Sequence, residues 1–194
     1  MKMLTIIQAP HPALSAKAKR INKVDAHIKQ LIKNMEYTLE HTTDPEGVGL
    51  AAPQIGESLQ LFIIKESPES RLHVFINPNI ISLSKEQYPI SDMDKSSKSK
   101  GSAERKGVKL EGCLSLKDIW GIVHRASNVK VSFMDETGTP QTKNFNGFIA
   151  TIIQHECDHL VGILFPKRVL EQNEKLYKAT TDENGEMVFE ELAL

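Results

Sequence analysis

His155-Glu156-Cys157-Asp158-His159 sets two imidazoles four residues apart, with a carboxylate beside the first. On a helix, side chains at i and i+4 lie one turn apart on one face, so both rings can reach a single metal ion. Glu156, next to the first ring, is placed to take a proton from water held by that metal. The preceding Phe148-Ile149-Ala150-Thr151-Ile152-Ile153 is too apolar for an exposed helix, which weakens the alternative of two ordinary surface histidines.

Three protein ligands and one open position are the usual pattern of a catalytic metal, so a third ligand is needed. Gly162 stands where a metzincin-like pattern has its glycine, but Phe165 occupies the place of the third histidine. Glu171 and Glu174 offer a thermolysin-like carboxylate, in a polar stretch with no other mark of a site. Cys113, within Glu111-Gly112-Cys113-Leu114-Ser115, is the better candidate, because a thiolate beside a glycine can approach a metal closely. A third segment, Gly47-Val48-Gly49-Leu50-Ala51-Ala52-Pro53-Gln54, lacks the third glycine and the lysine of a nucleotide-binding loop. Its small residues instead permit close backbone approach to a ligand or strand, and Gln54 ends it with a side-chain amide.

The elements that must position these residues can be read from periodicity. Asp25 to His41 is an amphipathic helix with Asp25 as N-cap and Ile28, Leu31, Ile32, Met35 and Leu39 on one face. Leu61–Lys65, Leu72–Ile76, Ile80–Leu83, Trp120–Val123, Val129–Met134 and Gln141–Phe145 read as strands, with Asn77-Pro78 as a break. Phe148 to Val161 reads as a buried helix, stopped by Gly162 with Pro166 beyond. A helix near Val169–Tyr177 and a hairpin turn at Asn184-Gly185 are expected in the tail. Ser84 to Gly107, poor in apolar residues, reads as an inserted mobile loop.

With 194 residues, 24 basic and 25 acidic side chains and a net charge of -1, the chain reads as one globular domain (1–194) with a variable tail over 168–194. The charge balance gives no case for sequence-specific nucleic acid or an anionic membrane. No apolar run approaches the roughly 20 residues of a bilayer span, and the first residues do not read as a signal or transit peptide. The two cysteines, Cys113 and Cys157, are expected as free thiols or metal ligands in a cytoplasmic protein.

Gly47–Gln54, Glu111–Ser115 and His155–His159, in this order, together resemble the three motifs of the peptide deformylases, a likeness that extends over about Leu4 to Lys167. His11-Pro12, Asn77-Pro78 and Arg125 add to it. The resemblance implies an α+β fold, with mostly antiparallel sheets packed around a central metal-binding helix and an N-terminal amphipathic helix. It implies one divalent metal held by Cys113, His155 and His159, physiologically Fe2+ with Zn2+ or Ni2+ as substitutes. The implied reaction is removal of the N-formyl group from the initiator methionine of nascent polypeptides, releasing formate. Metal-bound water would attack the formyl carbon with Glu156 as general base and acid, while Gln54 and the backbone N–H of Leu114 hold the oxyanion. Gly49 would pair with the peptide backbone, and Val48 with Phe148, Thr151 and Ile152 would wall the methionine pocket. Glu111 and Arg125 would orient the ligands. Cys157, about 200° round the helix from His155, is expected in the core. Trp120 stands in a region where relatives often carry a basic residue touching substrate, and the acidic tail cannot act as a basic ribosome anchor.

Two other readings use the same residues. A zincin protease shares the two histidines but gives Cys113, Gln54 and the glycines no part. A structural metal module would call on Cys157 as fourth ligand and leave Glu156 idle. Between Met93 and Lys109 six basic residues (Lys95, Lys98, Lys100, Arg105, Lys106, Lys109) face two acidic ones, Asp94 and Glu104, for a local charge of +4. Two readings of this segment stay open, a solvated surface loop or a transient, salt-sensitive contact with ribosomal RNA phosphate.

Overall fold

The computed structural model describes residues 1–43, 46–67, 69–88 and 110–193. In chain order these form α1 (Ala26–Glu40), β1 (Gly49–Ala51), β2 (Leu61–Ile64), β3 (His73–Leu83), β4 (Gln87–Tyr88), β5 (Glu111–Cys113) and β6 (Leu116–Gly121). There follow β7 (Arg125–Ala126), β8 (Asn128–Met134), β9 (Pro140–Asn146), α2 (Gly147–Leu160), α3 (Phe165–Glu171), β10 (Leu176–Thr181) and β11 (Met187–Glu191). All strand pairs are antiparallel, in sheets ordered β1-β2-β3-β8-β9, β11-β10-β6-β5 and β4-β7. The fold is α+β.

The five-stranded sheet is covered on both faces, which is why β2 reads as an unbroken apolar run rather than an alternation. Leu61 and Ile63 join Leu50, Val74 and Ile76 under the buried stripe of α1, including Leu31, Met35 and Leu39. Phe62 and Ile64 join Ala51, Phe75 and Val131 against Ala150, Ile152 and Ile153 of α2. Asp25 caps α1 by accepting from the Ile28 N–H at 3.0 Å. The four-stranded sheet rests on α3 through Cys113, Val123, Phe165, Val169 and Leu176. No single helix among the described residues is long and apolar enough to cross a membrane.

Three readings of the sequence need correction. Asn77-Pro78 does not end a strand: β3 runs through it, with a register shift between Ile76 and Asn79. Asparagine tolerates the left-handed backbone found there (φ 49°), and a shifted register spares proline the need to donate to the ladder. The tail helix begins earlier than expected, with Pro166 in its first turn, where no N–H is required; Leu176 then starts a strand that pairs with β6. Of the expected loop over Ser84 to Gly107, Gln87–Tyr88 form β4, paired with Arg125–Ala126. The basic residues weighed for ribosome contact lie outside the described residues.

Asn77 also ties the N-terminal segment to the sheet. Its Oδ1 accepts from the Ile21 N–H at 2.8 Å and its Nδ2 donates to the Ile21 carbonyl at 2.7 Å, both buried. Asn77→Ala would strand that donor and acceptor and leave alanine in a left-handed conformation. Urea unfolding should register a loss of about 3 kcal/mol.

Candidate metal centre

β5 and the reversal after it deliver the thiol. Cys113 pairs with Leu116, so Leu114 and Ser115 form a tight turn that holds the buried Sγ beneath α2. From α2, one turn apart, come the rings of His155 and His159, 4.9 Å between centroids. Cys113 Sγ lies 3.3 Å from His159 Nε2, and one ligand atom from each of the three residues falls within 4.8 Å of the others. A tetrahedral ion with bonds of about 2.3 Å to sulfur and about 2.0 Å to nitrogen separates its ligand atoms by about 3.5 Å. The three side chains fit such an ion. Two buried polar atoms, His159 Nδ1 and Glu156 Oε2, have no hydrogen-bond partner among the described residues.

The second nitrogen of His155 is committed. Its Nδ1 lies 2.7 Å from Glu111 Oε1, which turns Nε2 toward the metal position. Glu111 is itself gripped by a guanidinium fork: Arg125 Nε donates to Oε2 at 3.0 Å and Nη2 to Oε1 at 2.7 Å. The remaining Arg125 nitrogen, Nη1, donates to Asp158 Oδ2 at 2.8 Å, and Arg168 holds Asp158 from the other side at 2.6 and 3.1 Å. Burial works to raise the Glu111 pKa, but Arg125 and His155 outweigh it and hold the carboxyl at about 2. Arg125 is placed by Gln154, whose side chain bonds the N–H and carbonyl of Ala126 and so clamps β7 to α2.

Glu156 has the opposite surroundings. Burial pushes its carboxyl up to about 7, the range suited to a group that takes and then gives a proton. Gly49 lies so close that a Cβ there would collide with the Glu156 carboxylate and approach Ile152 Cγ2 to 2.9 Å. The glycine is therefore a steric requirement. Gln54 is fixed by accepting from the Ala51 N–H at 2.8 Å, which aims its Nε2 at Cys113 Sγ (3.5 Å) and Ser115 Oγ (3.3 Å). These groups line a cavity of about 210 Å³ with Val48, Leu114, Trp120, Phe148, Thr151 and Ile152.

Of the eight residues singled out from the sequence, seven (Cys113, His155, Glu156, Gln54, Leu114, Gly49 and Val48) line one cavity, and His159 stands behind it in the cluster with Cys113 and His155. Cys157 does not join them: it packs with the core cluster, where burial pushes its thiol up to about 12. The sequence reading missed Asp158, Arg168 and Gln154, and gave Ser115 no part. Asp158, three residues after His155 and followed ten residues on by Arg168, was the one available signal for the outer ion pairs.

A constellation of one cysteine, two helical histidines, a buried glutamate and a glutamine amide narrows the choice of family, and comparison decides it. Residues 3–175 match the polypeptide deformylase family. The chain belongs to that family. A peptide deformylase of Prochlorococcus marinus (strain NATL1A) is 38% identical over 184 residues, 93% of this chain and 80% of the relative. One from Mesorhizobium japonicum is 37% identical over 168 residues, 85% of this chain and 83% of the relative. Among solved structures, the peptide deformylase of Thermotoga maritima superposes with a TM-score of 0.72 at 30% identity, over 87% of this chain and 98% of its own. The deformylase likeness accounts for the cysteine, glutamine and glycine segments, which a zincin protease leaves without a part.

Glu111→Gln keeps the shape of the side chain but removes the charge that both Arg125 and His155 use. Metal affinity, measured by chelator competition, should fall by about 10- to 100-fold. Thermal stability should drop as well, because Arg125 is left with an incomplete set of buried partners.

Proposed function

We propose that this deformylase removes the formyl group from nascent chains beginning with formyl-methionine, using Cys113, His155 and His159 as ligands of one divalent metal. The observation that carries the reading is the clustering of those three side chains at the floor of an apolar cavity that Cys113, His155, Glu156 and Gln54 line. Bound there, the metal supplies Lewis-acid polarisation of the formyl carbonyl and lowers the pKa of a water molecule. Ferrous iron is the physiological ion in this reading, with zinc or nickel able to substitute; thiolate and imidazole suit all three.

The chain's own residues do the rest. Glu156, dry and with Oε2 unpartnered among the described residues, accepts a proton as water adds to the formyl carbon. It returns the proton to the amine nitrogen as the C–N bond breaks and formate leaves. Gln54 Nε2 and the Leu114 N–H donate to the oxygen on which negative charge develops, and donors of this kind are worth about 3 kcal/mol each. Gly49 lies on β1, an edge of the five-stranded sheet, and Gly112 on β5, an edge of the four-stranded one. A peptide entering between them can add as a strand, since backbone pairing needs no side chain at either glycine. Val48, Phe148, Thr151 and Ile152 then receive the methionine side chain. Formylated chains emerge where translation occurs, which puts the enzyme in the cytoplasm.

The direct test is metal analysis of anaerobically purified protein, with formate release measured on the same sample. Near-stoichiometric iron and formate release from a formyl-Met peptide are expected; casein cleavage without formate release would replace the reading with a protease. In a second test, Glu156→Ala should retain the metal while kcat falls at least about 100-fold. Near-normal turnover in the metal-replete variant would remove Glu156 from its role.

A further inference from the structure

Trp120 is the only tryptophan in the chain and lines the catalytic cavity. Its indole lies on the bare backbone of Gly112: a Cβ there would stand 2.7 Å from Cζ3, 2.8 Å from Cε3 and 3.0 Å from Cη2. That puts the six-membered ring on β5 one residue before Cys113. The sheet register places what holds it. Trp120 pairs with both Gly112 and Tyr177, Tyr177 with Glu191, and Ala179 with Phe189. Alternate residues share a face, so Gly112, Trp120, Tyr177, Ala179, Phe189 and Glu191 all stand on one side of this sheet. Ala179 is small, and across it the Phe189 ring meets the indole edge-on, 5.9 Å between centroids and 81° between planes. The opposite side of β6 is fixed separately: a Cβ on Gly121 would stand 2.7 Å from Val169 Cγ2 of α3. The strand therefore does not need Phe189 for its position. The indole does.

We propose that the C-terminal hairpin β10–β11 is a positioning element for substrate selection, in which Phe189 holds the Trp120 indole as the wall for the side chain that follows formyl-methionine. This rests on the deformylase reading and adds a preference to it. Trp120 is only half-buried, so ring surface remains for a substrate to cover. A planar or apolar side chain stacks on such a surface, whereas an acidic one meets the negative face of the ring and the nearby carboxylate of Glu46. Phe189 acts through Trp120 and touches no reacting atom.

The test uses the metal-replete full chain and three substrates: the amides of formyl-Met, formyl-Met-Phe and formyl-Met-Asp. The parent should favour the Phe over the Asp substrate by about tenfold in kcat/KM, and Trp120→Ala should erase that preference. Phe189→Ala should raise KM for formyl-Met-Phe amide about three- to fivefold, with kcat within twofold and formyl-Met amide unaffected. Acrylamide quenching of the single tryptophan should increase in the same variant, and Phe189→Tyr should restore both the KM and the quenching. An unchanged Phe-to-Asp ratio in Phe189→Ala, or an equal loss of kcat on all three substrates, would overturn the proposal while the parent remains an active deformylase. A parent that releases formate from none of the three overturns the deformylase reading itself, an outcome distinct from failure of the hairpin's role.

Discussion

One buried guanidinium organises the catalytic half of this molecule. Arg125 is 6% exposed, and a charge so far from water is tolerated only if its donors are all met. It meets Glu111 through a two-point fork and Asp158 through the third nitrogen, so one side chain joins β5, β7 and α2. Removing one partner from such a cluster typically costs about 3–5 kcal/mol, more than any single apolar contact in the chain would. The ion cluster therefore acts as a gauge. Cys113 and His155 stand 42 residues apart in sequence, and the Arg125–Glu111–His155 chain sets the distance between their elements.

The second constraint is steric and works in the other direction. Two glycines, Gly49 and Gly112, sit where any side chain would enter the Glu156 carboxylate or the Trp120 ring. Both lie on strands at the edge of their sheets, and both let a large catalytic or pocket-lining group approach bare backbone. Attraction fixes His155 and Glu111, and absence of bulk keeps the backbone at Gly49 and Gly112 bare. An alanine at Gly49 would not weaken a contact; it would displace the Glu156 carboxylate.

How much of this could be read from the sequence depends on the range of the interaction. The α2 histidines were legible because a helix converts a spacing of four into a shared face. The stripe of α1 and the doubly covered β2 were legible for the same local reason. Cys113 drew its weight from the company of those histidines, and Gln54 and Gly49 from their motif, since neither has a periodic signature. Asp158, Arg168 and Gln154 escaped because their roles exist only after β7 folds back beside α2, and nothing within a window of the chain announces that. The misread break at Asn77-Pro78 has a related cause. The turn chemistry of the pair was read correctly, but β2 and β8 on either side of β3 hold the strand together across the shifted register.

The two cysteines show how environment, not residue type, decides chemistry. Cys157 sits in the metal motif itself, yet it faces the core, where burial holds it as a neutral thiol far above the usual range. Cys113, 44 residues earlier, instead lies among polar side chains, 3.5 Å from Gln54 Nε2 and 3.3 Å from His159 Nε2. A closed structural site would need Cys157 to turn toward the two histidines. On a regular helix that would carry His155 or His159 away from Cys113, because all three side chains are tied to one backbone. Three candidate ligands from two elements, with the nearest fourth candidate committed to the core, would leave a metal one open position. That is the arrangement catalysis requires and a structural metal avoids.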